Sequence, residues 1–418
     1  YRPTAPNTAP CPTDVRCRAR RRLSEGIGPR RPQRQARPDR RRRQPARRGS
    51  RLRGSVLYGG NAEVAGPSYQ YNGEFVGKDR AVVNHVELGK VAPDALARCV
   101  AAAKAHPDAG QWQTIATSRK EGTTLTAFRG PTGVFFCAST ATTTTISEPN
   151  PVKIDEGTRK VKILFTSPTG ALAGLVSPDV KFLSLSTISE PGWNNTAPAL
   201  VEGLFLAPSG YLHAENGSRS LVNGRESTVR GVPKPTPAIT DRPQPPADRS
   251  TPDAQKFGEC LRDRPVPDAD QFAHTLTVRL SADSTVRVGR FGDLLLHCVD
   301  TGEPLRGSVT DLEDLEEVRG TTIASLAAAY DFKPRKADEE GEVDHMASST
   351  FAAVGLVTDP RVASITYTRP GMADVPASVG NGTFVLAAPL IDRHPDARVV
   401  VRDAAGTVLE TIKPKDVP

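Results

Sequence analysis

Pro107-Asp-Ala-Gly-Gln-Trp112 and Pro267-Asp-Ala-Asp-Gln-Phe272 are two versions of one phrase. Each follows a cysteine that has a second cysteine 38 residues further on, Cys99 with Cys137 and Cys260 with Cys298. Later text recurs as well: Gly174-Leu-Val176 with Gly355-Leu-Val357, and Gly203-Leu-Phe205 with Gly382-Thr-Phe384, at offsets of 181 and 179. Such self-similarity reads as a tandem duplication of one Cys-paired unit.

Working outward from the first phrase, Pro93 and Asp94 suit a first helical turn, and Leu96, Cys99, Val100 and Ala103 share one helical face. Lys104 and His106 favour the helix C-terminus, and Pro107 stops it. Strands are then expected at 111–118, 123–129 and Val134–Ala138, the last carrying Cys137, with more at 161–165, 171–176, 180–187, 200–206 and 218–222. In the second copy Phe272, Leu276, Val278 and Leu280 fall on one side of a period-two strand, followed by Val286 and Val288 and by Leu294 to Cys298. The expected fold class is α+β: two tandem repeat units, each a helix disulfide-tethered to a mainly antiparallel β-sheet, after a disordered Arg-rich N-terminus. The expected divisions are 1–53, a lead-in over 54–90, unit one over 91–228, a linker over 229–250, and unit two over 251–418. Six prolines between 233 and 246 make the linker extended and semi-rigid, so the two units are expected to fold separately.

A disulfide within each unit would pin its helix to its sheet. Closing a loop of this length constrains the unfolded chain by roughly 3–4 kcal/mol in the entropy model, and it implies an oxidising, extracytoplasmic compartment. Cys11 and Cys17 lie in the Arg-rich segment and carry no such pattern. Metal ligation is disfavoured by the lack of a C-x-x-C or Cys/His cluster, and no cofactor is expected.

The formal charge of +8 is an average over two unlike parts. Residues 1–53 hold eighteen Arg against Asp14, Glu25 and Asp39, or +15, which leaves −7 for the rest. A nucleic-acid surface is therefore not expected on the folded body. The Arg-rich segment has three readings: a basic arm for nucleic acid or anionic lipid, the cytoplasmic flank of a missing membrane span, or a GC-rich gene read out of frame. The longest apolar run, Phe384 to Ile391, is far short of the ~20 residues a helical span needs. The chain opens on Tyr1, which reads as a processed or truncated start.

Catalytic motifs are scarce. G-x-S-x-G, H-E-x-x-H and phosphate-binding loops do not occur. His274 and His297 read as strand histidines, satisfied or exposed. Thr310-Asp-Leu-Glu313 reads as a capping box opening a short helix through Glu317. Asp338, Glu339, Glu340, Glu342, Asp344 and His345 read as a solvated acidic loop, and Trp112 as core. Trp193, in a turn after Glu190-Pro-Gly192, reads as an edge-packing residue.

A Cys-bearing helix, three strands returning to Cys, and Gly355-Leu-Val357, Gly380-Asn-Gly-Thr-Phe384 and Asp403-Ala-Ala-Gly-Thr-Val408 together resemble exported ectodomains of GC-rich Gram-positive bacteria. The resemblance covers about 91–226 and 252–411, implies a secreted or single-span protein, and carries over no catalytic position. The expectation is a non-catalytic extracytoplasmic binding or sensing protein whose partner is a protein or a cell-envelope ligand. Its rivals are a secreted hydrolase built from dispersed residues and nucleic-acid binding through the Arg-rich segment. Membrane attachment is expected only through a span outside this sequence.

Overall fold

The computed structural model describes residues 69–71, 74–76, 86–104, 106, 108–151, 160–189, 192–211, 218–223, 225–229, 231–262, 264–282, 284–300, 306–329, 351–387 and 394–414. The Arg-rich segment, Cys11, Cys17 and the acidic group 338–345 lie outside these residues.

After a hairpin of β1 (Tyr69–Tyr71) and β2 (Glu74–Val76), the first half runs β3 (Val86–Leu88), α1 (Pro93–Ala102), β4 (Gln113–Lys120), β5 (Thr123–Gly130), β6 (Gly133–Ser139) and β7 (Thr143–Ile146). It continues with β8 (Val161–Thr166), β9 (Leu172–Val176), β10 (Leu183–Ser189), β11 (Gly192–Thr196), β12 (Ala199–Val201), β13 (Leu204–Ala207), β14 (Ser218–Val222) and β15 (Arg225–Val229). A short β16 (Ile239–Thr240) leads to the second half: α2 (Pro252–Leu261), β17 (Ala273–Arg279), β18 (Thr285–Phe291), β19 (Leu294–Asp300) and β20 (Arg306–Asp311). Then follow β21 (Val318–Arg319), β22 (Ile323–Ala329), β23 (Phe351–Val357), β24 (Ser364–Thr368), β25 (Val375–Pro376), β26 (Ser378–Gly380), β27 (Thr383–Leu386), β28 (Arg398–Arg402) and β29 (Val408–Ile412).

The α+β expectation is corrected. With 47% strand, 10% helical residues and two α-helices among those described, the protein is mostly β. The unit of a helix on one sheet is corrected with it, because each half stacks three antiparallel sheets. The first half orders them β16-β7-β6-β5-β4-β3, β12-β13-β9-β8 and β11-β10-β14-β15. The second orders them β17-β18-β19-β20, β21-β22-β23-β27-β26 and β25-β24-β28-β29. Each ten-residue helix covers only the outer face of its first sheet.

The physical reason lies in the middle sheets, which are covered on both faces. Phe136 and Leu125 from the first sheet meet Phe165 and Leu206 from the second in one core. Leu172 and Phe205 on the other face of that second sheet meet Leu183, Leu185 and Val222 of the third. In the second half, Val288 and Leu295 pack on Val354 and Leu356, while Ala353 and Phe384 pack on Tyr367 and Val399. A strand buried on both faces loses its polar alternation, and β9 (Leu-Ala-Gly-Leu-Val) is buried along its whole length. The recurring glycines now have a cause. Gly174 pairs with Phe205, and Gly355 pairs with Phe384. A Cβ at Gly174 would meet the Lys162 carbonyl at 2.1 Å and the Phe205 ring at 2.8 Å; at Gly355 it would meet the Ala324 carbonyl at 2.3 Å and the Phe384 ring at 2.5 Å.

Both disulfides lie on the outer, helix-facing side of the first sheets. Cys99 on α1 joins Cys137 on β6, and Cys260 on α2 joins Cys298 on β19. All four cysteines are buried, the first pair with Phe128 and Phe135 and the second with Phe257, Phe272 and Leu296. Non-reducing peptide mapping should return these two within-half pairs. A dominant Cys99–Cys260 or Cys137–Cys298 peptide would contradict the fold.

The Thr310–Glu317 helix expected from the capping-box pattern is also corrected. Thr310 lies within β20, which ends at Asp311, and only a single 3₁₀ turn (Leu312–Asp314) follows. The Asp311 side chain makes no cap there, because it bonds across to the first half.

Candidate functional site

The polar side chains with the most developed geometry gather where the two halves meet. One centre is the β6–β7 turn, Thr140-Ala-Thr-Thr143. Asp268, from the second repeated phrase, reaches into it from the other half. Its carboxylate accepts from Thr140 Oγ1 at 2.7 Å, from Ala141 N at 2.8 Å, from Thr142 N at 3.3 Å, and from Thr142 Oγ1. Asp268 is buried and takes φ +48°, a left-handed conformation that Asp tolerates better than most residues. Its counterpart in the first phrase, Asp108, only closes its own turn, accepting from Gly110 N at 3.1 Å.

The same turn is held from the opposite direction. Arg98 on α1 donates to the carbonyls of Thr140 (2.5 Å) and Thr143 (2.9 Å) and forms a two-pronged pair with Asp241 at 2.6 and 2.8 Å. Asp241 also accepts from Thr144 Oγ1 at 3.2 Å. The Arg98 guanidinium is the leading cause that holds the Asp241 carboxyl below its usual range. Asp241 belongs to the proline-rich stretch 229–250, so that stretch is bonded along its course as well as extended. Thr236 N donates to Thr166 O, β16 pairs with β7, Arg242 pairs with Asp94, and Ala247 N donates to Asp270 O. From its sequence this stretch is expected to be an extended, semi-rigid linker between units that fold separately. The stretch is extended and mostly exposed, with side chains and its remaining amides bonded to both halves.

A second junction lies at the β4–β5 hairpin. Glu121, at φ +51°, and Gly122 direct their backbone N–H groups to the two oxygens of Asp311, the Gly122 bond measuring 3.1 Å. Burial raises the Glu121 carboxyl, against the nearby Lys120, whose Nζ lies 3.7 Å away. Burial also raises Asp311, opposed by those two N–H donors. Asp314 is pushed up to about 6, by burial first and by Asp311 second.

The histidines stand apart from both junctions. His274 Nε2 lies 2.8 Å from Thr277 Oγ1, and burial lowers its pKa. His106 Nε2 lies 2.8 Å from the Ser147 carbonyl, with its ring against Phe135. His297 differs from its expected satisfied or exposed state, because its Nδ1 is buried without a hydrogen bond and its pKa is pushed down to about 4 by burial. A histidine depressed when folded leaves stability intact above its unfolded pKa of about 6.5 and loses it as pH falls from there to about 4. The loss should reach at most about 3 kcal/mol. Urea midpoints for wild type and His297→Gln should converge across that window as the pH drops, and parallel curves would refute the burial of an uncharged ring.

Trp112 packs against Phe128 and Phe135 at ring distances of 5.3 and 4.9 Å, and Trp193 lies on β11, paired with Ile188. Among the described residues, no group of three or more His, Cys, Asp or Glu side chains is placed to hold a metal ion, and no helix is long and apolar enough to cross a membrane. No protein-family model, curated protein or solved structure matches the chain.

The two cysteine pairs were readable from their spacing. Asp268, Arg98, Asp241 and Glu121 were not singled out. The one signal for Asp268 is its place in the repeated phrase, and for its acceptor site the run Thr142-Thr-Thr-Thr145 beside Thr140.

Proposed function

We propose that this chain is a non-catalytic binding or sensing protein that works outside the cytoplasm, secreted or membrane-anchored. In this reading, two tandem Cys-paired units are fixed to one another as a single body. The observation that carries it is the buried disulfide in each half, joining the helix to the outer sheet at matching positions. Such bonds persist in oxidising compartments and stiffen a scaffold without supplying chemistry. The most constrained polar side chains, Arg98, Asp241 and Asp268, are spent on backbone groups and on each other, which supports a scaffold role. The partner class remains a protein or cell-envelope ligand, in keeping with the resemblance to exported ectodomains.

The rival hydrolase has one observation in its favour, the raised carboxylates Glu121, Asp311 and Asp314 at one junction. A screen of ester, peptide, glycoside and phosphate substrates on the purified protein separates the two. No turnover above background is expected. Turnover abolished by Glu121→Gln or Asp314→Asn, with folding intact, would overturn the binding reading. Nucleic-acid binding rests on the Arg-rich segment alone and predicts steeply salt-dependent DNA affinity that disappears when residues 1–53 are deleted.

A further inference from the structure

We propose that the open edge of β17 receives an extended strand of a partner protein, run antiparallel, with an apolar residue opposite Val278 and a carboxylate opposite Thr277. This rests on the binding reading above and names where the partner is held. The observation is a difference between the halves. In the first, β3 closes the edge of its sheet by pairing with β4: Val86 with Ser118, Glu87 with Thr117 and Leu88 with Ala116. β17 is the counterpart of β4, two strands from the disulfide strand, and both carry a bulge at the same place, between Thr114 and Ala116 or between His274 and Leu276. Among the described residues, no strand pairs with the far side of β17. Beneath β3, Ala116, Thr117 and Ser118 are buried, whereas their counterparts Leu276, Thr277 and Val278 are half-buried.

The segment that could fill the gap runs elsewhere. The offset of 161 between Cys99 and Cys260 carries Val86–Leu88 onto Ala247–Arg249. There Ala247 N donates to Asp270 O at 2.8 Å, and the Arg249 guanidinium lies 5.0 Å over the Phe257 ring. The edge itself is fit to pair, since the shared bulge does not stop β4 from doing so. Leu280 N donates to Ser284 O at 2.9 Å, so alternation turns the N–H and C=O of Arg279 and Thr277 toward the open side. The Ile115 carbonyl accepts from Gly89 N at 2.8 Å; its counterpart on Thr275 is met by Asn381 Nδ2 at a longer 3.4 Å.

Charge selects the occupant. Thr126 stands beside Thr117 on the neighbouring strand of the first half, but Arg287 stands beside Thr277. Arg287 is buried and bonds Asp300 through Nη1 at 3.2 Å, yet its Nε makes no hydrogen bond, with Asp253 3.9 Å away. Arg279 is exposed two residues along from Thr277, steadied by the carbonyls of Ser281 and Ala282 at 3.1 and 2.8 Å. A carboxylate opposite Thr277, where the first half has Glu87, would lie in the row of Arg287 and diagonal to Arg279, within reach of long side chains. A second copy's β17 would instead crowd the arginines of both copies along one edge.

The probe is a peptide of this chain's own β3 region, residues 83–90, Val-Asn-His-Val-Glu-Leu-Gly-Lys. At about 1 mM it should slow hydrogen exchange of the full chain about tenfold at Thr277 and Arg279. Exchange at Thr117, already paired with Glu87, should not change. A peptide with Glu87→Lys should protect about two- to fivefold less, and Arg279→Glu in the protein should reverse that preference. Thr277→Pro removes an outward N–H without breaking the ladder to β18 and should abolish the protection. No slowing with the β3 peptide, or equal slowing with a scrambled one, would overturn the edge as the site. Slowing that grows with protein concentration alone, with a dimer in sedimentation, would give the edge to a second copy and overturn the partner strand. The charge reversal decides the question even if Thr277→Pro does not fold. Loss of the edge would leave the binding reading standing, whereas turnover in the substrate screen would remove that reading whatever the peptide does.

Discussion

Asp268→Ala should lower the stability of the protein by about 3–5 kcal/mol, the largest effect expected of any single polar substitution at the junction. Three terms add. The substitution strips Thr140 Oγ1, Thr142 Oγ1 and Ala141 N of their shared acceptor at a buried site. A buried donor left unsatisfied costs about 1–3 kcal/mol. Alanine must also hold φ +48°, where Asp and Asn are far better tolerated. Asp268→Asn keeps one acceptor and the backbone preference, so it should lose about half as much. Asp268→Gly removes the carboxylate without the backbone strain, and its deficit measures the hydrogen bonds alone. Chemical denaturation of the three variants checks the order Ala worst, Gly intermediate, Asn mildest. A loss below about 1 kcal/mol for Asp268→Ala would mean that the turn does not hold the second half.

Arg98→Ala should cost somewhat less, about 2–3 kcal/mol, for a related reason. Arg98 is 9% exposed and serves three acceptors: the Asp241 carboxylate and the carbonyls of Thr140 and Thr143. Asp241 is exposed and stays solvated without its partner, so the loss comes from the two turn carbonyls that lose their charged donor. Arg98→Met restores packing volume but not the bonds and should recover only a small part. Both Arg98 and Asp268 hold the Thr140–Thr143 turn, one through its carbonyls and the other through its hydroxyls and amides. Their losses should therefore not add, with a coupling of about 0.5–3 kcal/mol in the Arg98→Ala, Asp268→Ala cycle. Strict additivity would show that the two contacts stabilise different things.

What was legible in the sequence follows from how local each signal is. The two helices announced themselves through Pro93-Asp94 and the Cys99 face, and through the equal spacing of the cysteines; α2 also carries a Thr251 cap that accepts from Ala254 N. The glycines of the Gly-Leu-Val stretches were visible as repeats, yet their cause was not. Each lies beneath a phenylalanine ring on a neighbouring strand, at least 29 residues away in sequence. The α+β reading weighed two short, locally encoded helices against strands whose stacking into three layers is encoded by distant partners. β9 shows the difficulty, because a strand buried on both faces has no alternation to read. Thr310-Asp-Leu-Glu313 failed for another reason: the cap pattern was present, but Asp311 is used across the junction by Glu121 and Gly122. The same holds for Asp268, Arg98 and Asp241, whose partners lie between 42 and 143 residues away.

The halves should unfold as one cooperative body, held by the Thr140–Thr143 turn and the bonded proline-rich stretch. Scanning calorimetry of the full chain with its disulfides intact tests it most directly. One transition is expected, with calorimetric and van't Hoff enthalpies in agreement, and Asp268→Ala should split it into two. Two resolved transitions in the unsubstituted protein, unmoved by Asp268→Ala, would contradict it.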